Sequence, residues 1–158
     1  MAEVKKVATR TAYGEALLEL GRKDPKLTVI DADIAQSVSS KKFHQAYPER
    51  AFNVGIAEQN MFGIAAGLAT TGRVVFASTY AVFASMRACE QIRTFISYGE
   101  LNVKIGASHA GLHTGMDGAT HQAIEDVGIM RSVPGITILS PADAVSAKKA
   151  TLAAAEYP

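Results

Sequence analysis

The sequence predicts an α/β fold in which a parallel sheet carries helices on both faces. Mostly apolar segments, such as residues 27–30 and 73–77, alternate along the chain with segments whose apolar residues recur at helical spacing. Strands that are apolar throughout are buried on both faces, which is typical of parallel sheets. With 158 residues, 48% of them hydrophobic, we expect residues 1–158 to form one domain.

The first half of the chain predicts two helices and two strands. Apolar residues recur at helical spacing from Tyr13 onward, and Gly21 ends this helix before a strand at residues 27–30. A second strand is predicted at residues 51–54, and the helix that follows it ends at Gly72. Four apolar residues form the predicted inward face of that helix: Met61, Ile64, Ala65 and Leu68.

Two glycines interrupt this second predicted helix. Gly63 and Gly67 lie one turn apart, and each costs about 1 kcal/mol relative to alanine in a helix interior. A glycine at such a position is useful where another backbone comes close. We therefore interpret Gly63 and Gly67 as a surface where another helix crosses.

The second half of the chain continues the alternation. Three strands are predicted there, at residues 73–77, 103–107 and 136–139. Ser78 or Thr79 is expected to cap the helix between the third and fourth strands, which runs to about Tyr98. At the last helix, Ser140 is predicted as the N-cap and Pro141 as the first helical residue.

Composition and charge exclude several classes of partner. Sixteen basic residues stand against fifteen acidic ones, without a long run of either sign, so nothing favours nucleic acid or an anionic membrane surface. No apolar stretch approaches the ~20 residues that a membrane span requires. Cys89 is the only cysteine, so no internal disulfide can form, and its helical position indicates a small packed thiol. These features predict a soluble, cytoplasmic protein.

Parallel strands would bring the residues that follow them to one edge of the sheet, where open α/β sheets bind ligands. Glu58 begins the helix after the second strand. It is either a carboxylate that stabilises the helix N-terminus or a group that holds the ring nitrogen of a bound heterocycle. Tyr80 and Phe83 follow the third strand at a spacing that fits core packing as well as a cofactor platform.

A long polar loop at residues 108–122 follows the fourth strand. It contains three of the four histidines: His109, His113 and His121. Together with Asp117 they are candidate metal ligands, but their spacing in a glycine-rich loop matches no known metal cage. A solvated loop without function is a second alternative. The sequence favours a third, in which the imidazoles contact the hydroxyls and phosphates of a substrate near neutral pH.

Four motifs follow one another along nearly the whole chain. They are Phe-Asn-Val-Gly-Ile-Ala-Glu-Gln at residues 52–59, Ser-Thr-Tyr-Ala-Val-Phe at 78–83, Gly-Met-Asp-Gly-Ala-Thr-His-Gln at 115–122 and Ser-Pro-Ala-Asp at 140–143. In this order they resemble the pyrimidine-binding domain of transketolases, which residues 8–10 and 31–37 also match. The resemblance is strongest to the separate C-terminal subunit of split transketolases.

This resemblance implies thiamine diphosphate as the cofactor, bound between a pyrimidine-binding domain of one chain and a diphosphate-binding domain of another. Glu58 matches the glutamate that hydrogen-bonds the aminopyrimidine ring, which makes it an expected catalytic residue. Tyr80 and Phe83 match aromatic residues that pack on the pyrimidine face. Asp33 resembles an aspartate near the thiazolium ring.

The resemblance also implies a substrate site. His109 and His121 match histidines that hydrogen-bond the sugar and take part in catalysis. Asp117 matches the carboxylate that recognises a hydroxyl of the donor. Arg10 and Ser37 match groups at the substrate phosphate.

Two positions depart from the family pattern. Met86 stands where the family often has a third aromatic residue beside the pyrimidine, and Ser140 stands where an arginine grips the acceptor phosphate. Without that guanidinium a bidentate contact is lost, so the departure predicts a weakened preference for sugar phosphates.

The sequence contains no phosphate-binding loop of the GxGxxG or GxxxxGK type. The resemblance therefore assigns the diphosphate-holding residues and the ligands of Mg²⁺ to an N-terminal transketolase subunit, and no metal ligand is expected in this chain. Sugars or sugar phosphates are the expected substrates, and a homodimer or heterotetramer is the expected assembly. Because the family continues into a C-terminal domain, we expect residues 1–158 to be truncated before it.

Two classes of function are compatible with these residues. The first is transfer of a two-carbon ketol unit from a ketose to an aldose; related alternatives are deoxyxylulose-phosphate synthases and β-subunits of 2-oxo-acid dehydrogenases. The histidine loop around Asp117 favours a transketolase or the synthase. The second class is a non-catalytic assembly module, which the presence of Glu58 and of the histidine loop disfavours. The isolated chain is expected to be inactive without its partner.

Overall fold

The computed structural model describes residues 6–158. Four strands are present in this range: β1 (Leu27–Asp31), β2 (Ala51–Asn53), β3 (Val74–Tyr80) and β4 (Val103–Ser108). Six α-helices are present as well: α1 (Thr9–Lys23), α2 (Lys41–Ala46), α3 (Glu58–Thr70), α4 (Cys89–Gln91), α5 (Asp126–Arg131) and α6 (Ala144–Glu156). Short 3₁₀ turns lie at Pro48–Arg50, Gly115–Asp117 and Ala119–His121.

The four strands form one parallel sheet in the order β2-β1-β3-β4. Val29 of β1 pairs with Ala51 of β2 on one side and with Phe76 of β3 on the other. Phe76 in turn pairs with Lys104 of β4. All four carboxyl ends therefore lie at the same edge, as the sequence predicts.

Side chains of the central strands alternate between two apolar cores. On one face, Leu27, Val29 and Phe76 are buried against α1, α2 and α6, where Leu17 and Phe43 join them. This alternation follows from the two-residue period of a strand. The resulting layer of helices covers one side of the sheet.

The opposite face of the sheet is covered by α3 and by the helical segment that follows β3. Ile30, Val75 and Ala77 are buried there, together with Phe62 and Ile92 of the helices. Helices thus pack on both faces. This confirms the predicted α/β class with a parallel sheet.

Strand β3 is longer than predicted, and the helix after it begins later. Ser78 and Thr79 lie inside β3, so the prediction that one of them caps a helix was wrong. Their hydroxyls are engaged elsewhere: Ser78 Oγ lies 2.7 Å from the Tyr13 hydroxyl, and Thr79 Oγ1 donates to Glu58 over 3.5 Å. Both residues are fully buried.

The helical segment after β3 is mostly π-helical. Two π segments, Phe83–Arg87 and Ile92–Ser97, flank the short helix α4. Such segments are rare and often occur at functional sites. Cys89 is a free, half-buried thiol in α4, in agreement with the expectation of a packed cysteine without a disulfide.

A fifth strand at residues 136–139 was predicted wrongly. Within the part of the chain that the structure describes, this segment forms no strand, and β4 is an edge strand. Ile136 packs against the core under α3, whereas Leu139 is exposed. Just before it, the Pro134 carbonyl accepts a hydrogen bond from Ser97, and this contact holds the segment against the helical layer and away from β4.

The last helix begins three residues later than predicted. Asp143, not Ser140, is the N-cap of α6, because its carboxylate accepts a hydrogen bond of 2.7 Å from the backbone N–H of Ser146. The Ser146 hydroxyl accepts in return from the Asp143 backbone N–H at 3.1 Å. This reciprocal capping box lowers the pKa of the Asp143 carboxyl, mainly through the backbone hydrogen bond from Ser146.

The inward face of α3 is rotated from the predicted one. Met61 and Ala65 are buried as predicted, but Phe62 and Ala66 complete the buried face, while Ile64 is exposed and Leu68 is half-buried. Met61 and Ala65 are four residues apart, as are Phe62 and Ala66, so the two pairs form neighbouring rows of one buried stripe, which the spacing of apolar residues alone did not resolve.

Gly63 and Gly67 lie on the outer part of α3. A side chain at Gly67 would meet open space, and one at Gly63 would only touch the Phe95 ring. A crossing of α3 at this pair by a helix of another chain stays a prediction. None of the helices in these residues has the length and apolar character that a membrane span requires.

Candidate active site

The candidate site lies at the carboxyl edge of the sheet, where four connections converge. Asp33 follows β1, Glu58 follows β2, Tyr80 ends β3, and His109 directly follows β4. Arg10 reaches the same edge from the first turn of α1. The parallel topology therefore unites residues that are far apart in sequence.

Glu58 is a buried carboxylate. It is the first residue of α3, yet only 2% of its surface is exposed. Its Oε2 accepts a hydrogen bond of 2.7 Å from Nη1 of Arg87, and its Oε1 lies 3.5 Å from the Thr79 hydroxyl. Glu58 is therefore not a solvent-exposed carboxylate that only stabilises the N-terminus of a helix. Glu58 is instead an ion-paired charge held inside the site.

Tyr80 and Phe83 form an aromatic pair beside Glu58. Their rings are nearly parallel, with an interplanar angle of 9° and 6.0 Å between centroids. His121 approaches both rings with its edge, at 5.1 Å from Phe83 and 5.7 Å from Tyr80. Tyr80 is buried and Phe83 is half-buried, so the pair belongs to a small core and also borders the site.

His109 is fixed by contacts on both ring nitrogens. Its Nε2 lies 3.0 Å from Nη1 of Arg10, and its Nδ1 lies 2.8 Å from the Ser108 hydroxyl. A guanidinium can only donate, so Nε2 must accept and the ring proton sits on Nδ1. The ring also packs on Tyr80 with 4.2 Å between centroids.

The same surroundings favour the neutral form of His109. Burial lowers the pKa of the imidazole below the usual histidine range, and the positive charge of Arg10 lowers it further. Asp117 opposes this shift, whereas His121 adds to it. Around neutral pH His109 therefore offers its hydrogen bonds as an uncharged ring.

The loop after β4 is folded back on itself. An antiparallel bridge joins Gly111 to Ala123, and the Thr114 hydroxyl donates to the Gly118 carbonyl over 3.2 Å. These contacts bring Asp117 within 3.3 Å of the Tyr80 hydroxyl, which donates to it. The fold of the loop thus gathers the predicted His109, Asp117 and His121 around one aromatic ring.

His113 does not join this group. Its side chain is exposed, although it lies between His109 and His121 in the sequence. No group of three or more His, Cys, Asp or Glu side chains suited to a metal ion was found in residues 6–158.

Asp33 and Ser37 lie at the border of the site. Asp33 is exposed, adopts a positive φ of 67°, and accepts a hydrogen bond of 2.8 Å from the Asn53 side chain. Asn53 in turn accepts from the backbone N–H of Gly55 at 2.9 Å, which links the connections after β1 and β2. Ser37 is half-buried in the segment between β1 and α2.

Sequence reasoning missed Arg87. This residue follows Phe83 by four positions in a helical segment, a spacing at which side chains meet on one face. Its guanidinium carbon lies 4.1 Å from the centroid of the Phe83 ring. The spacing could have indicated that contact, but the ion pair with Glu58 depends on the packing of two separate helices.

Comparisons with known proteins agree with this geometry. The sequence profile described as the transketolase pyrimidine-binding domain matches residues 5–158. The chain belongs to this transketolase family. A chain described as a split-gene transketolase, in an inactive β4 tetramer, superimposes on this pyrimidine-binding domain with a TM-score of 0.85 and 53% identity. The match covers 96% of this domain and 49% of that chain.

The chain is also similar in sequence to sections and subunits of transketolases. A protein of Methanocaldococcus jannaschii, provisionally named a transketolase C-terminal section, is 51% identical over 94% of this domain and 47% of its own length. A 6-deoxy-6-sulfo-D-fructose transketolase subunit of Clostridium sp. is 42% identical over 89% of this domain and 44% of its own length. The pyrimidine-binding domain described here therefore spans about half the length of these relatives.

Proposed function

We propose that this chain is the pyrimidine-binding part of a thiamine diphosphate-dependent transketolase, which transfers a two-carbon ketol unit from a ketose to an aldose. The observation that carries the proposal is Glu58, a buried carboxylate beside the Tyr80–Phe83 pair in a domain of this family. A buried carboxylate needs a hydrogen-bond donor, and the ring of a protonated aminopyrimidine would present one. Metabolism of carbohydrates in the cytoplasm is part of this proposal.

The residues at the sheet edge fit the ring half of the cofactor. Glu58 would hold the aminopyrimidine through a ring nitrogen, and Phe83 and Tyr80 would border the face of the ring. Asp33 would lie on the side of the thiazolium. When bound, thiamine diphosphate supplies the nucleophilic carbon and the electron sink for cleavage of a carbon–carbon bond. The protein residues orient the ring and exclude water from it.

A partner would supply the other half of the site. Two phosphates are costly to desolvate without a cation, and no metal-binding cluster was found in the described part of this chain. We infer that an N-terminal transketolase subunit contributes the diphosphate site and Mg²⁺, in a homodimer or heterotetramer of the combined enzyme. The related split-gene transketolase described as an inactive β4 tetramer supports the view that subunits of this type assemble without activity when alone.

The second set of residues would bind the substrate. Arg10 offers a cation, His109 offers a neutral imidazole, and His121 adds a second ring near Asp117, whose carboxylate can accept from a sugar hydroxyl. Ser37 would add a hydroxyl near the substrate phosphate. Ser140 is exposed and carries no charge, so Arg10 would be the main cation for an anionic end of the sugar. A sulfonated sugar is a reasonable second probe, because one relative is named for such a substrate.

Reconstitution tests the proposal. The chain is combined with an N-terminal transketolase subunit, Mg²⁺ and thiamine diphosphate, and ketol transfer from a ketose phosphate to an aldose is followed. We expect activity with wild-type chain and a loss of about 100-fold or more with Glu58→Gln. Glu100→Gln is the matched control, because Glu100 is exposed in a turn remote from Glu58. Equal activity of both variants would contradict the assignment of Glu58.

A further inference from the structure

Arg87 contacts Glu58 and Phe83, the two residues that the proposed function assigns to the cofactor ring. Its Nη1 donates to Oε2 of Glu58 over 2.7 Å, and its guanidinium carbon lies 4.1 Å from the centroid of Phe83. Glu58 is almost fully buried, whereas 45% of the Arg87 side chain is exposed. The arginine therefore enters the site from the solvent side.

The guanidinium shares its chemistry with an aminopyrimidine. Both are planar, both present N–H donors at their edge, and both stack on aromatic faces. Arg87 donates to the carboxylate with its edge and covers Phe83 with its plane, which is a cation–π contact. A bound aminopyrimidine would satisfy Glu58 and Phe83 in the same two ways. The two groups cannot both use Oε2 of Glu58 and the same face of Phe83.

The free energies involved allow a cofactor ring to replace Arg87 as the partner of Glu58. An unpaired buried carboxylate is unfavourable, so Glu58 needs a partner whether or not the ring is bound. Arg87 ends the π segment Phe83–Arg87, and its half-exposed side chain can move into water without opening the core. Loss of the charge-assisted hydrogen bond between Arg87 and Glu58 would change the equilibrium constant for ring binding by about tenfold or more.

We propose that Arg87 occupies the aminopyrimidine subsite as a built-in competitor, and that it must leave Glu58 before the cofactor ring can bind. The inference rests on the proposed function, since it concerns the same subsite. It makes Arg87 a residue that sets the affinity for the ring and keeps Glu58 paired in its absence. A purely structural ion pair would have no effect of this kind on ring binding.

The test measures binding directly, in the complex reconstituted with an N-terminal subunit. Calorimetric titrations with thiamine diphosphate plus Mg²⁺ compare wild type with Arg87→Ala and Arg87→Gln. Inorganic diphosphate plus Mg²⁺ is a second ligand, because it lacks the ring. Arg93→Ala is the matched control, since Arg93 is an exposed arginine of the same helical segment. Urea unfolding of each variant chain establishes that it is folded.

We expect Arg87→Ala to lower the Kd for thiamine diphosphate by about tenfold, with Arg87→Gln shifted in the same direction and Arg93→Ala unchanged. The Kd for inorganic diphosphate should be the same in all four proteins. Unchanged or weaker binding of thiamine diphosphate by folded Arg87 variants would overturn the competitor role while leaving the proposed function intact. Failure of wild type and every variant to bind the cofactor would overturn the proposed function, and the inference with it.

Discussion

The Arg10 guanidinium donates to Nε2 of His109 over 3.0 Å and thereby determines which ring nitrogen carries the proton. The Ser108 hydroxyl occupies the other nitrogen at 2.8 Å. Arg10 lies in the first turn of α1 and His109 directly after β4, so the contact joins two elements that are far apart in the sequence. An anionic substrate that engages Arg10 would change the charge that His109 senses.

Removal of this arginine should be visible in the titration of His109. Arg10→Ala is expected to raise the pKa of His109, because a nearby positive charge is lost, although burial still holds the pKa below the usual range. NMR titration of the imidazole ring protons measures the shift. Arg22→Ala, which removes an exposed arginine at the other end of α1, should leave the pKa where it is. An unchanged pKa in Arg10→Ala would refute the contact.

The pKa of His109 also predicts a dependence of stability on pH. Folding favours the neutral ring, so its contribution is fully present above the unfolded pKa of about 6.5. That contribution is lost as the pH falls through the lower folded pKa. His109→Gln should therefore lose less stability than wild type when the pH is lowered from about 7.5 to 5. Urea unfolding at the two pH values provides the comparison, and an equal or larger loss in the variant would speak against it.

Gly106 is required by the close approach of Tyr13. A side chain at Gly106 would collide with the Tyr13 ring at 2.7 Å and with its hydroxyl, which is engaged by Ser78. Gly106→Ala should reduce the free energy of unfolding by about 1–3 kcal/mol, the usual cost of overpacking. Gly128→Ala is the control, because Gly128 lies in α5 with open space around it and should gain up to about 1 kcal/mol. Equal effects of the two substitutions would be inconsistent with this packing.

The outer face of α3 predicts self-association. Gly67 faces open space, and the neighbouring Ile64 and Phe95 are exposed apolar side chains. The isolated chain should form oligomers at tens of micromolar, roughly the range of a weak interface, and Gly67→Gln should weaken them by blocking close approach. Sedimentation velocity compares this variant with Gly128→Gln, which should associate like wild type. Monomers of the wild-type chain throughout this range would argue against the interface.

The sequence predicted the parts of the fold that depend on local patterns. Strands β1 to β4 were predicted from mostly apolar segments, and their parallel orientation followed from the helices between them. The segment at residues 136–139 has the same composition, yet Ser97 holds its start against the helical layer. Ser140 resembles an N-cap, but Asp143 forms the complete capping box with Ser146. A long-range contact thus decided the first outcome, and a local capping box decided the second.

The candidate site, too, could be predicted only in part from the sequence. The resemblance singled out Glu58 and His109, which lie at the predicted edge of the sheet. The partners of these residues could not be predicted, since the Glu58–Arg87 and Arg10–His109 contacts each join separate elements. Long-range contacts of this kind depend on the packed fold, which carries information that spacing in the sequence does not.

The central claim is that this chain provides only the ring half of a cofactor site. Calorimetric titration with thiamine diphosphate and Mg²⁺ tests it most directly, with the chain alone and with an N-terminal transketolase subunit added. We predict weak or undetectable binding by the chain alone, because the diphosphate would lack a cation site, and stoichiometric binding once the partner is present. Low-micromolar, stoichiometric binding by the chain alone would contradict the account.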